Sequence, residues 1–190
     1  MNNVDCIIPA AGCSERMRQW KPLLPFRGST IIETVVDTAL SVCGRIILVA
    51  GYRSDELSML FVDKSRVRIE LNSEWSRGMF SSIQCGISHL RTERFFIVPA
   101  DMPLIGREIY KALLGAPACD AIFPVYDGRR GHPVLFANSI ADVVLKENPI
   151  TGRMRKIAER FEVCEMHCRN EAVLIDIDMM DDYRKWGPFQ

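Results

Sequence analysis

The chain has 190 residues, 48% of them hydrophobic and 25% charged, and its 24 Lys and Arg offset its 24 Asp and Glu. That composition describes one globular domain over residues 1–190 with a substantial core, not a disordered chain. A net charge of zero excludes the basic footprint of a duplex nucleic-acid binder or of a protein held on an anionic membrane, so neither is expected as a partner.

The apolar run Cys6-Ile7-Ile8 predicts a buried strand feeding a turn of small residues, Pro9-Ala10-Ala11-Gly12, with Cys13, Ser14, Arg16 and Lys21 behind it. Backbone amides that no bulky side chain covers, with two cations downstream, suit a polyanion such as a nucleoside triphosphate. An ordinary strand–loop–helix connection with surface charges has the same appearance. The loop carries neither Gly-x-x-x-x-Gly-Lys-Ser/Thr nor Gly-x-Gly-x-x-Gly, which disfavours a P-loop ATPase and a dinucleotide-binding protein.

Thr30-Ile31-Ile32-Glu33 has the form of a capping box, and Ile32, Val35, Val36, Ala39, Leu40 and Cys43 follow at helical spacing. Gly44 stops that helix. Residues 45–50 then read as a strand, 54–61 as a short helix, 67–71 as a strand, and Ile83, Ile87 and Leu90 mark a helix from Met79. A strand at 95–98 ends in Pro99-Ala100-Asp101-Met102-Pro103, ahead of a helix carrying Ile105, Ile109 and Leu113. Asp101, framed by prolines at a strand end, suits an oxygen-loving ion such as Mg²⁺; it would equally serve as a helix N-cap.

After a strand at 121–125, residues 126–133 read as a flexible basic loop, in which His132 either meets a second substrate or is merely exposed. A strand at 134–136, helices at 139–146 and 153–161, and strands at 162–167 and 172–178 complete the chain. In the last of these, Asp176 and Asp178 fall on one face and could join Asp101 in a metal site, or form a solvated strand end. Strands alternating with helices predict a doubly wound α/β fold, a mostly parallel sheet with helices on both faces and ligands beyond the strands' carboxyl ends.

Most of the seven cysteines sit in apolar runs, as small buried hydrophobes do. Strand alternation separates Cys164 and Cys168 from His167, which argues against a metal site in that stretch. The N-terminal Met-Asn-Asn-Val-Asp lacks the pattern of a secretory signal, and no apolar run is long enough to cross a bilayer. A reducing cytoplasm is the expected location.

Together, Ala10-Ala11-Gly12-Cys13-Ser14-Glu15-Arg16-Met17 with Lys21, the stretch from Asn72 through Trp75, Gly78, Ser81 and Ser82 to Gly86, Pro99-Ala100-Asp101-Met102-Pro103, Gly131-His132-Pro133 and Asp176-Ile177-Asp178 resemble the ordered motifs of nucleotidyltransferases of the molybdenum-cofactor type, closest to the cytidylyltransferases. The resemblance implies a Rossmann-like nucleotidyltransferase fold, and transfer of CMP from CTP to molybdopterin with Mg²⁺ as cofactor. It also implies a molybdoenzyme that receives the product. By position, Ala10, Ala11, Gly12, Cys13 and Ser14 would hold the triphosphate, neutralised by Arg16 and Lys21. Gly51, Asn72, Ser81 and Ser82 would line the nucleotide pocket, and Gly131, His132 and Pro133 would meet the acceptor. Asp101 would bind the metal, with Asp178 as the second acid and Asp176 in reserve. GTP, a sugar-phosphate acceptor or a non-catalytic cofactor chaperone remain alternatives. Arg18 departs from the family's usual Gly, and Met179-Met180-Asp181-Asp182 departs from its Thr-Pro-Glu-Asp.

Overall fold

The computed structural model describes residues 3–14, 17 and 19–187. Every residue of the first strand, β1 (Asp5–Pro9), is buried, because the strand lies in the middle of a sheet covered on both faces. A small hairpin, β2 (Pro25–Phe26) and β3 (Ser29–Thr30), leads into α1 (Ile31–Leu40), whose capping box forms as expected between Thr30 and Glu33. Then follow β4 (Arg45–Ala50), α2 (Ser54–Leu60), β5 (Val67–Leu71), α3 (Met79–Ile87), β6 (Arg94–Ile97) and α4 (Arg107–Gly115). The rest comprises β7 (Ala121–Tyr126), β8 (Arg129–Arg130), β9 (Val134–Ala137), α5 (Ala141–Lys146), α6 (Met154–Ala158), β10 (Val163–His167) and α7 (Met180–Trp186).

The main sheet runs β10-β7-β9-β6-β1-β4-β5, with β8 attached to β7. Pairs β1/β4, β1/β6, β4/β5 and β7/β10 are parallel, whereas β9 is antiparallel to both β6 and β7. Side-chain alternation along β1 divides the core. Cys6 and Ile8 join one cluster with Val36 of α1, Leu57 of α2 and Tyr110 of α4, while Ile7 joins the other with Ile83 of α3, Val144 of α5 and Ile157 of α6. This is the mostly parallel, doubly wound α/β arrangement that the alternating pattern predicts. Among the described residues, no helix is long and apolar enough to cross a membrane.

Three expectations are corrected. Residues 172–178 are not a strand: the Asn170 side chain accepts from the Ala172 amide and starts a single 3₁₀ turn, Glu171–Leu174, so a local side-chain bond overrides the β-branched composition. Nor is 126–133 a loose loop. Asp127 (φ 48°) and Gly128 (φ 70°) make the tight turn between β7 and β8, and Gly131 donates to the Pro124 carbonyl at 2.8 Å. Cys164 is not a thiol, since a disulfide joins it to Cys119, with Cα atoms 6.0 Å apart.

One buried ion pair fastens the sheet's lower edge. Asp5, 2% exposed, accepts from Arg45 Nε (3.0 Å) and Nη2 (2.6 Å) and from the Arg91 amide (2.8 Å). Arg45→Ala strands that carboxylate and is expected to destabilise the fold by about 3 kcal/mol. A urea midpoint unchanged from wild type would refute this.

Candidate active site

Beyond Ala10, several carbonyls of the loop after β1 are engaged. Ala10 donates to the Val49 carbonyl at 2.8 Å, and beyond it the Ala11 carbonyl accepts from Tyr52 (3.0 Å) and the Gly12 carbonyl from Trp20 Nε1 (3.1 Å). The Ser14 carbonyl accepts from Met17, and its hydroxyl from the Lys21 amide, both at 3.1 Å. The amides of Gly12 and Ser14 take no partner among the described residues, and Ser14 sits at φ 58°. A loop anchored this way leaves donors for an anion. Arg16 and Arg18 lie outside the described residues.

Lys21 opens a one-turn 3₁₀ helix, Lys21–Leu23, and its ammonium reaches across the sheet's carboxyl edge. It meets Asp101 Oδ2 at 2.7 Å and Asp178 Oδ1 at 2.8 Å. Burial disfavours the charged ammonium, but the carboxylates of Asp101 and Asp178 more than offset this, so its pKa rises above the ordinary lysine value. Asp101 caps no helix among the described residues, because α4 begins only at Arg107 behind Gly106. Its carbonyl instead accepts from the Ile177 amide at 2.9 Å. Ile177 is fully buried beside Leu24, Phe26 and Ile31, so Asp176 and Asp178 on either side of it project into the groove. Both acids thus border the groove, although the segment that carries them is not a strand. Burial, then the Asp178 and Asp101 carboxylates, raise the Asp176 pKa.

These parts line an open groove of about 650 Å³. Ala10, Gly12, Cys13 and Ser14 form one wall, Lys21, Asp101, Asp176 and Asp178 the acid floor, and Gly131 and His132 the far side. His132 is no exposed loop residue: its amide donates to the Val173 carbonyl at 2.8 Å, and its Nδ1 is buried without a partner. Burial lowers its pKa, so the imidazole is neutral at pH 7. Pro133 lies buried behind Gly131 and His132, and Ala11 behind the loop wall.

Gly51, Asn72, Ser81 and Ser82 are near the site but do not line the groove. A Cβ on Gly51 would fall 2.7 Å from Trp75 and 2.8 Å from Ala11, so this position serves close packing under the loop. The Asn72 amide nitrogen donates to both Ser81 and Ser82 Oγ at 3.0 Å, and all three residues are buried. Arg129, Arg130, Met79 and Leu174 line the groove without having been singled out from the sequence. The Asp127-Gly128 turn signal would have placed the two arginines on a hairpin.

Asp101 and Asp178 offer hard oxygen donors of the kind that suits a divalent cation such as Mg²⁺ or Mn²⁺. With Asp176 they do not close into a three-ligand cluster among the described residues, and the Lys21 ammonium stands between them.

Residues 6–164 match the family model described as the MobA-like NTP transferase domain. Over 183 residues the chain is 33% identical to the molybdenum cofactor cytidylyltransferase of Escherichia coli (strain K12), covering 96% of this chain and 95% of that one. It is 26% identical over 167 residues to a probable molybdenum cofactor guanylyltransferase of Natranaerobius thermophilus, covering 86% and 77% of the two chains. Its fold matches that of the Mycobacterium tuberculosis protein Rv0371c, solved as a complex with manganese, at a TM-score of 0.78 and 21% identity over 97% and 98% of the chains. The chain thus belongs to the MobA-like NTP transferase family and is a nucleotidyltransferase of the molybdenum-cofactor type.

Proposed function

We propose that this enzyme transfers CMP from CTP to the terminal phosphate of molybdopterin, as one domain over residues 1–190, in the cytoplasm and with Mg²⁺ as its metal. The observation that carries this reading is the Lys21 ammonium held between Asp101 and Asp178, beside a loop with open amides. Charged groups of both signs, kept ready at one strand edge, suit a substrate that brings both a metal and a polyphosphate. Similarity to the E. coli cytidylyltransferase, 33% identical over nearly its whole length, favours cytidine.

In this mechanism the amides of Gly12 and Ser14, with Ala10, Ala11 and Cys13, hold the triphosphate, and Lys21 and Arg16 neutralise it. Gly51, Asn72, Ser81 and Ser82 support that loop from behind and fix where the nucleoside lies. An oxygen of the acceptor phosphate attacks the α-phosphorus in line, the bond to the β-phosphate oxygen breaks, and pyrophosphate leaves. Asp101 and Asp178, with Asp176 in reserve, would hold the metal, which supplies charge neutralisation at the α-phosphate. Gly131 and His132 orient the acceptor, backed by Pro133. The attacking oxygen is already anionic, so the site needs no general base. A molybdoenzyme then takes up the product.

Incubation with Mg²⁺, molybdopterin and either CTP or GTP tests the assignment. Pyrophosphate release with CTP is expected to exceed that with GTP by at least ~10-fold, the order of discrimination that a few polar contacts provide. Equal or faster release with GTP would overturn cytidine. The guanylyltransferase relative makes that the competing outcome.

A further inference from the structure

The groove does not end at His132. It shares Pro9, Met79, Pro99, Arg130, Gly131 and His132 with a second cleft of about 600 Å³. The two differ in chemistry. Where the first is floored by acids, the second is lined by Phe80, Phe123, Val134 and Phe136, and its charged lining consists of Arg77, Arg130, Arg153 and Arg155. No carboxylate lines it among the described residues. These guanidiniums have partners behind the lining: Glu74 for Arg77, Glu165 for Arg130, Glu159 for Arg155 and backbone carbonyls for Arg153. The cleft is thus an apolar, aromatic wall with paired arginines at its rim, which suits a flat apolar body whose charge sits on an arm.

The roof of this cleft is built, not loose. Between α5 and α6, Asn148 Oδ1 accepts from Ile150 (2.9 Å) and Thr151 (3.2 Å), and the Asn148 carbonyl accepts from Gly152 (2.8 Å). Gln84 of α3 donates to the carbonyls of Val144 and Glu147 at 2.8 and 2.9 Å, fixing the start of the loop. A Cβ on Gly152 would fall 2.2 Å from the Phe80 ring, so only glycine lets the loop close to this degree. The result leaves Ile150 61% exposed and Met79 58% exposed, both lining the same cleft. At the junction, Arg130 is fixed by Glu165 (Nε to Oε1, 2.6 Å) and lies 5.0 Å from the Phe123 ring centre. The buried, unpartnered Nδ1 of His132 stands beside it.

We propose that this second cleft is the ring subsite of the acceptor. A planar fused heterocycle lies against Phe80, Phe123 and Phe136 under the 148–153 loop, contacting Met79 and Ile150, and its phosphate arm passes Arg130 and His132 to reach the acids. This rests on the nucleotidyl-transfer reading above and adds where the acceptor's ring binds and which residues select it.

Ile150→Glu tests it, with Leu145→Glu as control for a charge on an exposed apolar position outside the cleft (Leu145 is 44% exposed). Two readouts are taken: KM for molybdopterin against KM for CTP, and quenching of 6-hydroxymethylpterin phosphate fluorescence without nucleotide. Ile150→Glu is expected to raise the acceptor KM and the pterin Kd at least ~10-fold, with the KM for CTP within twofold and Leu145→Glu at wild-type values. Unchanged acceptor KM and pterin Kd in Ile150→Glu, or an equal rise in the KM for CTP, would overturn the subsite. If wild type binds the pterin but transfers nothing to molybdopterin, loss of binding in Ile150→Glu still supports the ring site, and the transfer reading falls by itself.

Discussion

Asp101→Ala is expected to cut nucleotide-dependent pyrophosphate release by ~10³-fold or more, the scale on which removal of a group stabilising transition-state charge is felt. The protein should stay folded, for a structural reason. What Asp101 contributes to the architecture is its backbone carbonyl, which accepts from the Ile177 amide at 2.9 Å and survives the substitution. Its carboxylate bonds to Lys21 at 2.7 Å, at a rim where Lys21 keeps Asp178 at 2.8 Å as a second partner. A thermal midpoint within a few degrees of wild type, together with lost turnover, is the expected pair of results. Full activity in the variant would remove Asp101 from the metal site.

Lys21→Met should also lose activity, by ~10²-fold or more, since the variant lacks a cation aimed at the triphosphate. Its second effect has the opposite sign. Without the ammonium, Asp101 and Asp178 face each other unneutralised and become a better cation site, so divalent-metal affinity of the nucleotide-free protein is expected to rise about tenfold. The same repulsion lowers the thermal midpoint in chelator, and added Mg²⁺ restores it. The clasp also has a pH signature. Lys21 has a raised pKa in the folded protein, so its contribution to stability is complete below the ordinary lysine value and is lost only as pH rises through the folded one. Metal affinity falling in parallel with activity, measured by calorimetry on Lys21→Met, would show instead that Lys21 supports the site and does not compete for it.

What could be read from the residues was local. The Thr30–Glu33 capping box is two reciprocal bonds within four residues, and it forms. The alternation of Cys6, Ile7 and Ile8 sorts them to opposite faces because successive strand side chains must. Asp101 stands out by its place after an apolar run, and Asp176 and Asp178 by their spacing about Ile177. What local pattern does not encode is who meets whom. The Lys21 bonds span 80 and 157 residues, and no period announces them. The antiparallel insertion of β9 between β6 and β7 depends on sheet order, which a run such as Val134-Leu135-Phe136 leaves open. Residues 172–178 misled because their apolar content is high, while one Asn170 side-chain bond decides the backbone. Asn72, Ser81 and Ser82 carry family positions, yet their hydroxyls and amide are used on one another, which residue identity alone does not show.

The way Asp178 arrives has a thermodynamic consequence. The segment that carries it is fastened by the Ile177 amide, by the burial of Ile177 beside Phe26 and Ile31, and by Tyr183 Oη on the Pro25 carbonyl at 2.6 Å. One end of the acid floor is therefore a tether held by these three contacts, and any opening of it separates Asp178 from Asp101. Whatever bridges Asp101 and Asp178 must tighten the tether by the same factor by which the docked tether tightens the ligand. Amide exchange in residues 176–186 would then serve as a meter of site occupancy that requires no catalytic turnover.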